Sequence, residues 1–231
     1  MTTAHTPRAV GASASRRTFL TGAGVLATAA SGALLAACGR SSSSSAGSSA
    51  ASGSAPAASS SSSASPLPSG SSVLVAYYSA QGHTKTVAET IAGELGASTF
   101  VIEPANPFSQ DDLNWRDSSS RVVTEYENPD QRSTQLASNA PADFSSYDTV
   151  FVGYPIWWQS ASWAMTDFAR QNDFTGKTVI PFCTSLSSPL SSSGTELAEM
   201  AGGSGTWQEG IRFEENVSTE EVAQWARQFR P

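Results

Sequence analysis

The sequence predicts an α/β fold, a parallel sheet with helices on both faces, and three observations point to it. Short apolar runs recur that are continuous rather than alternating, as in strands buried on both sides; Val73-Leu74-Val75-Ala76-Tyr77-Tyr78 is the clearest. Segments of helical period fall between these runs, and a β-α-β-α order is satisfied by parallel strands joined through crossover helices. The pattern is confined to the 159 residues from Val73 onward in a chain of 231, a length that supports one domain with a full core.

The first strand is Val73–Tyr78. Thr84–Leu95 follows as a helix, because Val87, Ala88, Ile91, Ala92 and Leu95 fall on one stripe. Ser98–Ile102 is a second strand and Tyr147–Gly153 a third. Ser160–Gln171 reads as a helix, Thr178–Cys183 as a fourth strand and Thr195–Ala201 as part of a helix. Thr206–Phe213 is a weaker fifth strand. Ser218-Thr219-Glu220-Glu221 is a capping box that opens a last helix, with Val222, Trp225, Ala226 and Phe229 at helical spacing. The one long interruption, Pro104–Ala140, is of a size that is functional or carries its own helix, with a solvated insertion as the alternative.

Upstream of Val73 the composition changes. Residues 1–37 carry three arginines and no acidic residue, and residues 41–72 carry no charge and 18 serines. Ser15-Arg16-Arg17-Thr18-Phe19-Leu20 resembles a twin-arginine export signal, and Leu35-Ala36-Ala37-Cys38 resembles a lipoprotein lipobox. A basic start, a weakly apolar stretch and small residues before a cleavage point suit a processed leader; an uncut membrane anchor is the alternative. The expectation is a signal peptide over 1–37, a lipid on Cys38, a disordered tether over 38–72 and a domain over 73–231. Such a tether spans about 30 Å, from roughly 5–6 Å × √n. The domain would be extracytoplasmic, touching the membrane through its lipid alone.

The segment from Val73 holds all 20 acidic residues and nine of the 13 basic ones, a net charge of −11. That balance excludes a nucleic-acid partner, which needs a basic face to neutralise phosphates. No second long apolar run exists, which excludes a polytopic membrane protein. With Cys38 carrying lipid, Cys183 has no disulfide partner and reads as a buried, inert thiol.

Open α/β sheets bind ligands beyond the carboxyl ends of their strands, and three such ends carry chemistry. Ser79-Ala80-Gln81-Gly82-His83-Thr84-Lys85 brings small and hydroxyl residues to a helix entrance, where backbone N–H groups can surround an anion. It has one glycine, so it is neither the dinucleotide fingerprint nor a Walker loop; a mononucleotide phosphate fits, and a polar turn with Thr84 as cap is the alternative. Gly153-Tyr154-Pro155-Ile156-Trp157-Trp158-Gln159 places two tryptophans past the third strand. Stacking on a flat aromatic ligand explains at least one of them, with core packing as the alternative; strand alternation favours Trp157 as the stacking partner. Cys183-Thr184-Ser185-Leu186-Ser187-Ser188-Pro189-Leu190-Ser191 is a hydroxyl-rich loop past the fourth strand.

Together these loops resemble the flavodoxin-like family, in particular the short bacterial branch with a Y-P-I-W-W motif, over about Val73–Phe229. The resemblance implies a doubly wound five-stranded parallel sheet of order 2-1-3-4-5 that binds FMN and transfers electrons. Ser79, Gln81, Gly82, His83, Thr84 and Lys85 match its phosphate loop. Pro155, Ile156, Trp157 and Trp158 match the loop against the isoalloxazine ring, and Thr184, Ser185, Ser187 and Ser188 match the second ring-edge loop. Pro189 and Ser191 stand where similar sequences carry glycines, which bears on flavin affinity. The acidic domain would disfavour an anionic reduced flavin, lower the second reduction potential and steer a redox partner with a basic docking patch.

Two other readings compete. A hydrolase would have to use His83, the one histidine left after leader removal, and no G-x-S-x-G elbow accompanies it. A binding module that keeps the fold without flavin is favoured by Pro189 and Ser191. Metal ligands are too few for a His/Cys site.

Overall fold

The structure, a computed structural model, describes residues 66–230. The leader, Cys38 and the tether up to residue 65 lie outside the described residues. The elements run β1 (Val73–Tyr77), α1 (His83–Leu95), β2 (Ser98–Val101), α2 (Arg121–Glu127), β3 (Thr149–Trp157), β4 (Ser160–Ala161), α3 (Thr166–Gln171), β5 (Thr178–Ser185), α4 (Ser193–Met200), β6 (Thr206–Trp207), β7 (Ile211–Glu214) and α5 (Thr219–Ala226). Among the described residues no helix is long and apolar enough to cross a membrane.

The parallel sheet has the order β2-β1-β3-β5-β6, and β7 pairs with β5 beyond β6. This is the 2-1-3-4-5 arrangement with its fifth strand in two pieces. Pro181 explains the break. The amide of Gln208 donates to Val179 O at 2.8 Å, so odd-numbered residues of β5 direct their backbone polar groups toward the fifth strand. Pro181 is the next such residue and has no N–H to accept from. Opposite it, Gly210 approaches so closely that a Cβ would lie 2.6 Å from Pro181 O.

Alternation along the strands divides the core in two. Leu74, Ala76, Val150, Val152, Tyr154 and Val179 face α3 and α4, meeting Met165, Phe168 and Leu197. Val75, Tyr77, Phe151, Ile180 and Phe182 face α1 and α5, meeting Val87, Ile91, Val222 and Trp225. Each large apolar side chain fully removed from water contributes about 1.5–3 kcal/mol, so these two layers hold the strand ends in place. Gly153 is required by one of them, because a Cβ there would lie 2.2 Å from the Phe182 ring.

Three features differ from the sequence reading, and the long interruption carries its own helix, as one of its readings had it. β3 runs to Trp157 rather than stopping at Gly153, so the aromatic motif continues the strand. Ser160–Ala161 turns back as β4, and a 3-10 turn over Trp163–Met165 precedes α3, so the helix begins at Thr166 and not at Ser160. The long interruption contains α2, capped by the Ser120 hydroxyl, which accepts from the Val123 amide. It is closed at its base where Ala105 N donates to Gln135 O and Ala137 N to Glu103 O, both at 2.8 Å. Finally, the end of the tether is packed: Leu67 is buried in the α1/α5 core and its amide donates to Phe229 O, so order begins before Val73.

Candidate functional site

β1, β3 and β5 all end on the same edge of the sheet, and their three loops enclose one cavity of about 340 Å³. That volume lies in the range of small-molecule sites. Of the residues singled out from the sequence, Gln81, His83, Thr84, Pro155, Ile156, Trp157, Trp158, Thr184, Ser185, Ser187 and Ser188 line it. Ser79, Gly82 and Lys85 do not.

The first loop is built around a left-handed glycine. Gly82 has φ 97°, a conformation open to glycine at little cost, and it caps α1. The Ser79 hydroxyl lies beneath and accepts from the amides of Gly82 and Lys85, both at 3.1 Å. The amides of His83 and Thr84 find no partner among the described residues, as first-turn helix donors do not. They stand at the positive end of a 13-residue helix, where backbone donors and the helix dipole suit an anion. Lys85 turns outward instead, its ammonium 3.6 Å from Glu89 with both side chains exposed. No arginine or lysine lines the cavity, and its charged lining residue is Glu215.

The His83 ring bonds to the backbone oxygen of Glu215 at 2.9 Å. As the donor in that pair, Nδ1 carries the proton and Nε2 is left as an acceptor. Among the described residues no serine hydroxyl and no carboxylate side chain bonds to His83, so the nucleophile and the orienting acid of a hydrolase are both missing.

Thr84 and Thr184 join the first loop to the third. Their hydroxyls lie 2.8 Å apart and both residues are buried. One donates to the other, and the accepting hydroxyl keeps its own proton for a ligand.

The second loop is a two-residue hairpin turn. Trp157 pairs with Ser160, and the turn residues Trp158 and Gln159 have φ 45° and 67°, the type I′ pattern usually written Asn-Gly. A left-handed tryptophan costs about 1–2 kcal/mol. Stacking offsets this: Trp158 lies on Tyr126 of α2 with ring centres 4.3 Å apart and planes 10° apart, and Trp163 is stacked 6.1 Å away. Trp157 is the hub of the cluster, edge-on to Tyr78, Phe108 and Trp163. Beneath them Glu125, 5% exposed, accepts from Arg121 Nε at 2.7 Å and from the Trp163 indole at 2.6 Å. Burial pushes the Tyr78 hydroxyl well above its ordinary pKa; Arg121 opposes this and Glu125 adds to it.

The third loop is held from outside by Arg212 of β7. Its Nε donates to Ser185 Oγ at 2.7 Å, and its Nη2 to the carbonyls of Ser185 and Leu186 at 3.1 and 3.2 Å. Ser185 Oγ in turn donates to Ser188 O. Ser191 takes φ 48°, so a serine carries the left-handed geometry glycine would supply. Cys183 is fully buried and burial pushes its thiol up to about 12.

The interruption completes the wall. Leu113, Trp115 and Val122 line the cavity beside the two tryptophans, and Trp115 is 60% exposed at its rim. Trp115 belongs to the interruption read from the sequence as functional, whereas Leu113, Val122, Glu215 and Arg212 were not singled out there. Ser120 as an N-cap was the available signal for the α2 segment.

The sequence model of the family described as Flavodoxin matches residues 72–229. Two solved structures are similar over most of their length. One, from Bacteroides uniformis and described as a candidate flavoprotein, is 36% identical and covers 68% of this chain and 97% of its own, with a TM-score of 0.61. The other, from Bacteroides eggerthii and described likewise, is 34% identical and covers 67% and 95%, with a TM-score of 0.59. A flavoprotein from Lactobacillus acidophilus, solved in complex with FMN, is 19% identical with a TM-score of 0.47 and covers 68% and 99%. None of the curated proteins compared with the chain matches it.

Proposed function

Because this chain belongs to the flavodoxin family, we propose that it binds one FMN in the three-loop cavity and works as an electron-transfer flavoprotein. The observation that carries this is the convergence of an unpaired helix N-terminus, an aromatic hairpin and a donor-bearing loop on one cavity. The residues fit the cofactor by their chemistry. Without a lysine or arginine in its lining, the cavity would hold a phosphate through the free amides of His83 and Thr84, the α1 dipole and the Thr84–Thr184 hydroxyl pair. Trp157 and Trp158 offer aromatic surface to a flat ring, and Leu186 and Ser188 offer backbone contacts at its edge. Lys85, paired outward with Glu89, is left out of this set.

FMN supplies the electron chemistry when bound; the chain binds it, orients it and sets the surrounding field. Cys183 is buried and protonated and the Tyr78 hydroxyl is held neutral, so neither of these two groups serves as a base. A carrier suits this arrangement. The test is the spectrum of protein purified in the presence of FMN. A bound, shifted flavin spectrum with quenched fluorescence supports the proposal. Colourless protein that ignores millimolar FMN would favour the flavin-free module.

We propose further that the domain is exported and anchored by lipid at Cys38, on the support of the Arg16-Arg17 and Leu35–Cys38 motifs, with residues 39–65 as tether. Its redox partner would present a basic patch to the acidic domain. Detergent phase partitioning tests the anchor: wild type enters the detergent phase and Cys38→Ala does not. Equal aqueous partitioning of both would remove the lipid from this account.

A further inference from the structure

We propose that Arg212 is a positioning residue that fixes the polarity of the third loop, and so sets how strongly the site favours the reduced, negatively charged flavin over the oxidised one. The inference rests on the proposed FMN reading and concerns what this side chain adds to it.

Three carbonyls of the loop are occupied by the protein's own donors, two of them by Arg212 from outside the cavity. Those of Ser185 and Leu186 accept from Arg212 Nη2, and that of Ser188 accepts from Ser185 Oγ, which is itself held by Arg212 Nε. The amides of Leu186, Ser187 and Ser188, by contrast, have no partner among the described residues, and all three residues line the cavity. With its acceptors engaged and its donors free, the loop presents a positive local dipole on the cavity side. Donors fixed before reduction stabilise charge as it develops without reorganising. The guanidinium does this from behind the loop. It is not in the cavity lining, and its one carboxylate contact among the described residues, Glu214 Oε1 at 3.8 Å, is on an exposed side chain.

The effect opposes that of the net charge. An acidic domain disfavours an anion anywhere in it, whereas Arg212 acts at one loop. A fork of planar donors is needed to reach a hydroxyl and two carbonyls together, which lysine cannot reproduce.

The experiment measures FMN affinity and both one-electron midpoint potentials for wild type, Arg212→Met and Arg212→Lys in the full chain. The methionine variant should weaken the fully reduced state about tenfold more than the oxidised and one-electron-reduced states, the size of one weakened charge-assisted hydrogen bond. That factor corresponds to a second potential lower by about 59 mV. The lysine variant keeps the charge and should shift the same way by a smaller factor. Loop damage without this role would weaken both redox states alike and leave the potential unchanged; that result, with FMN still bound, overturns the inference alone. A lysine variant identical to wild type would show that charge acts without positioning, and overturns it too. If the methionine variant does not fold, Ser185→Ala removes the bonds through Oγ and takes its place with the same expected direction. Wild type that binds no FMN overturns the reading of the site, and this inference with it.

Discussion

Replacing Thr84 by valine tests whether the first and third loops are joined as described. Valine has nearly the shape of threonine, so the change removes a hydroxyl and little volume. Both hydroxyls are buried, 2.8 Å apart, with no other hydrogen-bond partner for either side chain among the described residues. Thr84→Val therefore leaves Thr184 Oγ1 unsatisfied, and an orphaned buried hydroxyl costs about 1–3 kcal/mol. Thr184→Val should cost the same by the same argument. The double variant replaces both partners by apolar groups of the same shape, a change that is close to neutral. The singles and the double should thus be strongly non-additive, with a coupling about as large as the two single costs together, about 2–6 kcal/mol. At about 2–4 °C per kcal/mol for a domain of this size, each single lowers Tm by about 4–8 °C at a 2 kcal/mol cost, and the double recovers most of it. Urea unfolding of the four proteins without flavin gives the cycle free of ligand effects. Additive single costs would refute the pairing. FMN affinity should not recover in the double, because both ligand-facing hydroxyls are then gone.

Gly82→Ala forces an alanine to φ 97° and should lower stability by about 1–2 kcal/mol, with a fall in FMN affinity seen by fluorescence quenching. Trp157→Ala should lower Tm sharply, by about 3–5 kcal/mol of lost packing in the aromatic cluster, whereas the half-exposed Trp158→Ala should cost far less stability. If one of them walls the flavin, that variant weakens FMN by about 1–3 kcal/mol, by analogy with base–aromatic stacking; loss of neither would remove the wall. His83→Asn should retain most FMN affinity, since the backbone amide remains, and should abolish no esterase turnover; loss of such a turnover would revive the hydrolase. In a Cys38→Ala chain, Cys183 should resist a thiol reagent at pH 8 until the protein is unfolded. Burial raises its pKa to about 12 from an ordinary 9.0, so it adds no pH dependence below about 9; between 9 and 12 the unfolded thiol ionises first and stability falls.

The sheet, its order and the place of the ligand loops were legible because each rests on long signals: two-sided apolar runs, a helical stripe and three polar loops at strand ends. What escaped the sequence had a local physical cause. The α2 segment carries Val122, Val123 and Thr124 in a row, β-branched residues that read against a helix, and only the Ser120 cap spoke for it. β3 runs past Gly153 through Pro155, a residue that reads against a strand interior, because Pro155 pairs with Thr184 of β5 on one side while the hairpin with β4 begins at Ile156 on the other. The type I′ turn at Trp158-Gln159 has no glycine or asparagine to announce it; tertiary stacking on Tyr126 holds it. Leu67 was lost in a serine-rich run whose composition describes the tether and not the last residues before the sheet. Arg212 acts across 27 residues of sequence, a distance no local pattern spans.

The central claim is that FMN occupies the cavity formed by these three loops, and backbone NMR of the isotopically labelled protein titrated with FMN tests it most directly. FMN in this cavity gives saturable shifts, at one FMN per chain, in the amides of Gln81–Thr84 and Leu186–Ser188 and in the indoles of Trp157 and Trp158. An unchanged spectrum at saturating FMN, or shifts gathered away from these loops, would contradict it.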